Sequence, residues 1–165
     1  MTTQTRSENL VRIVSNHGFA NLWFNISTRH HSLHAAVPFD TNDILIDFRA
    51  GSIQSHPTYL TVQTGEDVHI TLEPMFLQYI NHSCDPNVFF DTTAMQLVCI
   101  RPIRANDEFC FFYPSTEWEM AQPFICNCGS SKCLHVIKGA LHLAEEILGQ
   151  YRLTDFIRNK INQER

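Results

Sequence analysis

The stretch Asn81-His82-Ser83-Cys84-Asp85-Pro86-Asn87 constrains this chain more than any other. It sets two amides, an imidazole, a hydroxyl, a thiol, a carboxylate and a proline in seven consecutive residues, directly after the apolar run Met75-Phe76-Leu77-Gln78-Tyr79-Ile80. Asn, Ser and Asp side chains bond nearby backbone and Pro86 fixes its own φ, so the segment holds polar groups in set directions. Composition alone leaves two readings open: a polar loop between a short helix and a strand, or a site that the neighbouring elements serve.

The rest of the chain reads mostly as short strands. Leu10–Val14 is rich in β-branched residues, Gly18 turns the chain, and Phe19–Ile26 is a second apolar run before the polar break at Ser27–Ser32. Leu33–Ala36 restarts the sheet, Pro38–Asp43 turns, and Ile44–Phe48 alternates as a strand does. Tyr59–Gln63 and Val68–Leu72 flank Thr64-Gly65-Glu66-Asp67 as a hairpin. Pro74 suits the first turn of a short helix running to Ile80. Val88–Phe90 and Met95–Ile100 read as strands, Arg101–Glu108 as a turn, and Phe109–Tyr113 as an aromatic strand. Only Ile137–Leu148 and Leu153–Ile161 carry apolar residues at helical spacings. The fold class is therefore mainly β (α+β) with a small helical tail, and residues 1–9 are expected to fray.

With 165 residues, 44% of them hydrophobic, the chain can bury one sizeable core. No apolar run approaches the roughly 20 residues that span a bilayer, and Met1–Asn9 is polar without a signal-peptide core, so neither membrane insertion nor secretion is expected. A cytoplasmic protein is the expectation, or a nuclear one in a eukaryotic host. The net charge of −5 with scattered Lys and Arg argues against direct nucleic-acid binding and suits basic peptide segments as partners.

In a reducing compartment, clustered thiols bind metal more often than they form disulfides. Cys126, Cys128 and Cys133 form a Cys-x-Cys-x₄-Cys cluster with Gly129 available for a tight turn. Three thiolates need a fourth ligand to close a tetrahedral structural site, and the chain offers Cys84. Three ordinary buried or surface thiols are the other reading. Cys99 and Cys110 sit in apolar strands as packed thiols, and His30, His31 and His34 read as polar strand-end residues, because adjacent strand residues point to opposite faces. Tyr113, Trp118 and Phe124 could equally wall a narrow channel or cover the core.

Asn81-His82-Ser83-Cys84-x-Pro86-Asn87 resembles the signature of the SET-domain lysine methyltransferases, and Glu108-Phe109-Cys110-Phe111-Phe112-Tyr113 is similar to the run that supplies the family's catalytic tyrosine. The resemblance implies a SET-domain β-clip-like fold of short sheets, with a pseudoknot that brings signature and tyrosine together beside S-adenosylmethionine (SAM). It implies a SET domain over 1–114, a post-SET zinc segment over 115–136 and a helical tail over 137–165. The implied activity is transfer of the SAM methyl to a lysine ε-amine of a protein or peptide. Tyr113 takes the catalytic role, and Asn81, His82, Ser32, Leu33 and Tyr113 hold the cofactor. Cys84, Cys126, Cys128 and Cys133 ligate zinc, while Phe48, Phe111 and Trp118 line the substrate channel. Phe111 matches a family position where Phe leaves room for further methyl groups and Tyr fills it.

Two departures from the family pattern have physical consequences. His30 and Ser32 stand where the family carries glycines, so their Cβ atoms are expected to crowd the backbone's approach to SAM, and Phe48 stands where a Tyr often lines the channel. The missing glycines motivate a second reading, a SET-fold binding module without catalysis. A third is a SET-fold enzyme acting on a small molecule in specialised metabolism.

Overall fold

A computed structural model describes residues 10–164; the fraying expected for 1–9 lies outside the described residues. Gly18, at φ 79°, turns β1 (Val11–Asn16) back onto β2 (Ala20–Asn25), and β3 (His31–Ala35) completes an antiparallel sheet in the order β1-β2-β3. Leu33 and Ala35 alternate inward along β3 and are fully buried. Next come β4 (Ile44–Asp47), β5 (Arg49–Gln54), β6 (Thr61–Gly65) and β7 (Val68–Glu73), the last two joined by the expected hairpin. A 3-10 turn at Met75–Tyr79 buries Leu77 and delivers the chain into β8 (Asn81–His82). Then follow β9 (Val88–Asp91), β10 (Gln96–Cys99), β11 (Cys110–Phe111), β12 (Phe124–Ile125) and β13 (Val136–Ile137). Two helices, α1 (Glu145–Leu148) and α2 (Asp155–Glu164), close the chain.

These strands form three-stranded sheets β4-β10-β9 and β5-β7-β6, a parallel pair β8-β11 and an antiparallel pair β12-β13. The main core gathers Leu33, Leu77, Ile80, Phe90, Leu97 and Phe109 from different sheets. Each such burial stabilises the fold by about 1.5–3 kcal/mol relative to exposure. A second cluster packs Phe112, Trp118, Ala140, Leu148 and Ile157, with Tyr151 stacked on Phe112 at 3.7 Å between ring centroids. The tail thus backs the segment that follows Tyr113.

Several elements differ from the sequence expectation. The helix expected over Ile137–Leu148 is α-helical only at Glu145–Leu148, with a 3-10 turn at Ala140–His142: Ile137 is drawn into β13, and the amides of Ala140 and Leu141 donate to the carbonyls of Glu117 and Trp118. The last helix begins two residues later than expected, where the Thr154 hydroxyl accepts from the Ile157 amide at 3.4 Å. The aromatic strand is cut to Cys110–Phe111, because Pro114 ends pairing and Tyr113–Ser115 forms a 3-10 turn. Strand β5 was not expected from Arg49-Ala50-Gly51-Ser52, whose propensity is low; pairing with β7 imposes it, and a Cβ on Gly51 would stand 2.9 Å from the Thr71 hydroxyl.

Gly139 fixes the crossing of the tail over residues 117–119. Its φ is 119°, and a Cβ there would clash with the Trp118 carbonyl oxygen and stand 2.9 Å from the Glu119 Cα. Gly139→Ala is expected to destabilise the protein by about 2–4 kcal/mol, combining backbone strain with steric overlap. Urea unfolding measures this, and an unchanged midpoint would contradict it.

Candidate active site

The signature turn is tied down at nearly every polar atom. The Asn87 side chain donates to the Glu108 carbonyl at 2.8 Å and accepts from the Cys110 amide at 2.8 Å, while the Asn87 amide donates to the Cys110 carbonyl at 3.0 Å. Only a side-chain amide supplies donor and acceptor together in this way, so Asn87 extends the β8-β11 pairing where the backbone turns away. Asn81 Nδ2 donates to the His31 carbonyl at 3.0 Å and to Glu108 Oε1 at 2.9 Å, linking β3 to the signature. Arg101 donates to the carbonyls of Pro86 and Asp85, both at 2.9 Å.

His82 joins the two halves of the site. Its Nδ1 accepts from the Tyr113 amide at 3.2 Å, so the ring proton belongs on Nε2, which stands 3.3 Å from Cys84 Sγ and donates to it. Burial lowers the imidazole to about 4, which keeps it neutral at neutral pH, and the Tyr113 amide sets the tautomer.

Tyr113 faces a cleft of about 790 Å³, within the range of small-molecule sites. Its hydroxyl donates to the Ile80 carbonyl at 3.4 Å, and its ring packs on Phe111 and His82 with centroids 4.6 and 5.2 Å apart. Burial first, then the charges of Cys110, Glu108 and Glu117, push its phenol well above the ordinary range, so it remains a neutral donor.

The structure brings Asn81, His82, Phe111 and Tyr113 to this one cleft. Four other residues named from sequence lie elsewhere. Ser32 bonds His34 Nε2 through its hydroxyl at 2.9 Å, and Leu33 is core. Phe48 packs edge-on against Phe90 behind Phe111, and Trp118 belongs to the second cluster beneath Lys160. None of these four lines the cleft, whereas His30 does. Sequence reading did not single out Glu117, a buried carboxylate in the cleft wall, because a lone acid among Thr116 and Trp118 carries no pattern.

Beneath the signature, Cys84, Cys126, Cys128 and Cys133 place their four sulfurs within 4.8 Å of one another. A tetrahedral ion with metal–sulfur bonds of about 2.3 Å needs sulfurs about 3.8 Å apart, so a small closure of this cluster fits a metal. Burial pushes the Cys84 thiol up to about 11 and raises Cys126 further. Burial acts the same way on Cys128, but backbone hydrogen bonds from Cys84 and Ser130 and its bonds with Cys126 and Cys133 outweigh it and bring this thiol down to about 6.

Short β-sheets, an Asn-His-Ser-Cys turn and a tyrosine converging on one cleft define the class as a SET-type methyltransferase fold. Residues 4–114 match the SET domain family, and the chain belongs to it. It is 42% identical over 104 residues to methyltransferase flvH of Aspergillus flavus, covering 62% of this chain and 58% of that protein. It is 31% identical over 90 residues to a histone-lysine N-methyltransferase, H3 lysine-36 specific, of Chaetomium globosum, covering 51% of this chain and 10% of that protein. The corresponding enzyme of Schizosaccharomyces pombe is 31% identical over 91 residues, covering 51% of this chain and 11% of that protein.

Proposed function

We propose that this chain transfers a methyl group from SAM to a lysine ε-amine of a protein or peptide. The observation that carries this reading is the convergence of Tyr113, Phe111 and the Asn81-His82 signature on a single cleft. In this reading residues 1–114 form the catalytic unit, 115–136 a zinc-bound cover and 137–165 the tail that backs it.

When bound, SAM supplies an electrophilic methyl on a sulfonium. Asn81 and His82, which line the cleft, are proposed to hold it. A lysine amine, of reference pKa about 10.4, must become neutral to attack, and the apolar wall favours that form by withholding water. Tyr113 then orients the nitrogen through its hydroxyl, while Phe111 beside it leaves the nitrogen room to rotate. Four thiolates from Cys84, Cys126, Cys128 and Cys133 would hold zinc as a structural ion apart from the chemistry.

Purified protein incubated with methyl-labelled SAM, histones, lysine peptides and small amines tests the reading by mass spectrometry. Label on a lysine supports it; no transfer to any acceptor and no SAM binding by calorimetry would overturn it. Transfer to a small-molecule amine is the second reading, favoured by the higher identity and far larger coverage shared with flvH, whose name specifies no protein substrate. The product is expected to carry more than one methyl, and Phe111→Tyr to shift it toward monomethyl. Intact-mass analysis decides this, and a strictly monomethylated product from the unmodified protein would contradict the role given to Phe111.

A further inference from the structure

Glu117 is a buried acid whose local bonds account for only half of it. The Gln63 amide donates to its Oε1 at 2.9 Å and the Thr116 hydroxyl to the same atom at 3.0 Å. Gln63 returns the tie by accepting the Trp118 amide at 3.0 Å, so residues 116–118 are pinned to β6. Both of these bonds go to Oε1, Oε2 accepts none among the described residues, and Glu117 lines the cleft. No ion pair among the described residues involves Glu117, and no Lys or Arg lines the cleft. The nearby Lys160 ammonium lies 5.6 Å over the Trp118 ring and pairs with Glu66 and Glu164. Burial pushes the Glu117 carboxyl up to about 7, against the hydrogen bonds from Gln63 and Thr116 that lower it. A carboxylate kept in a cleft without a counter-ion is costly unless a ligand supplies the cation.

We propose that Glu117 is the specificity-determining residue of the cleft, selecting a primary alkylammonium through Oε2 and taking up its proton as the neutral amine passes toward Tyr113. This deepens the methyltransferase reading and rests on it for the fate of the amine, but the selection itself is a binding property. Tyr113 and Glu117 line the same cleft, and the Glu117 amide donates to the Tyr113 carbonyl at 3.0 Å. A lysine side chain and a free alkylamine offer the same group.

The test is an NMR titration of the full chain at pH 8, with and without SAM, using n-butylammonium and its uncharged isostere 1-butanol. Unmodified protein is expected to prefer butylammonium by about tenfold, the scale of one charge-assisted hydrogen bond. Glu117→Gln, whose amide oxygen still accepts from Gln63 and Thr116, should abolish the preference with an unchanged Tm, and Glu117→Asp should retain part of it. An unchanged preference in Glu117→Gln overturns the proposal. So does equal loss in the Gln and Asp variants together with a lower Tm, which is what a purely structural pin would show. Should both variants fail to fold, the unmodified protein decides, since butanol bound as tightly as butylammonium overturns the proposal alone. A capped lysine that binds tighter than butylammonium points to a peptide source, and one that binds weaker to a free amine. Failure of SAM to bind removes the methyltransferase reading without touching the butylammonium result.

Discussion

Cys84→Ser is expected to reduce bound zinc from one equivalent per chain to less than half. Cys126, Cys128 and Cys133 supply three thiolates from one loop, and Cys84 reaches them from the signature turn 42 positions before the first. A serine keeps the volume but ligates zinc poorly, leaving an open three-sulfur site. The loss should propagate to the cleft, because Tyr113, Met120 and Phe124 pack against the buried cluster of Cys84, Cys126 and Ile137. Chelation of the unmodified protein should therefore lower both Tm and SAM affinity. Metal affinity should fall as pH falls, since protons compete for the thiolates and Cys84 holds its proton up to about 11 without metal. Elemental analysis and the thiolate absorption of a cobalt-substituted sample measure this. Full zinc and unchanged cobalt absorption in Cys84→Ser would remove Cys84 from the ligand set.

The cluster also shows where sequence reading succeeds. The Cys-x-Cys-x₄-Cys spacing is a local pattern that brings three sulfurs together, and Cys84, 42 positions earlier, joins them as the resemblance to the SET family implies. Strands β1 to β4 and the β6-β7 hairpin were legible for a similar reason, since alternation and a Gly-containing turn act within a few residues. What was not legible depends on distant partners. β5 forms because β7 lies beside it, and Ile137 leaves a helical pattern because Phe124 pairs with it. The cleft wall shows the same limit. Trp118 and Phe48 look like channel residues by type, but the tail draws one into the second core and Phe90 holds the other behind Phe111. Glu117 emerged only when the fold set it against Gln63, 54 residues away.

Tyr113→Phe is expected to lower turnover by about 10²–10³ while leaving fold and metal intact. The substitution removes one hydroxyl and no carbon, so packing on Phe111, His82 and Phe124 is kept. The only hydrogen bond the hydroxyl donates is a long one, 3.4 Å to the Ile80 carbonyl, so the expected change in stability is below about 1 kcal/mol. Catalysis is different, because a donor aimed at the reacting centre in a water-poor site contributes about 2.7–4 kcal/mol in the transition state. Burial pushes the phenol well above the ordinary tyrosine range, which suits the orienting role proposed for it. The pH dependence of turnover should accordingly keep its shape in Tyr113→Phe and drop in height alone. Single-turnover assays with labelled SAM across pH 6–9 measure both features, and full activity in the variant would remove Tyr113 from the catalytic role.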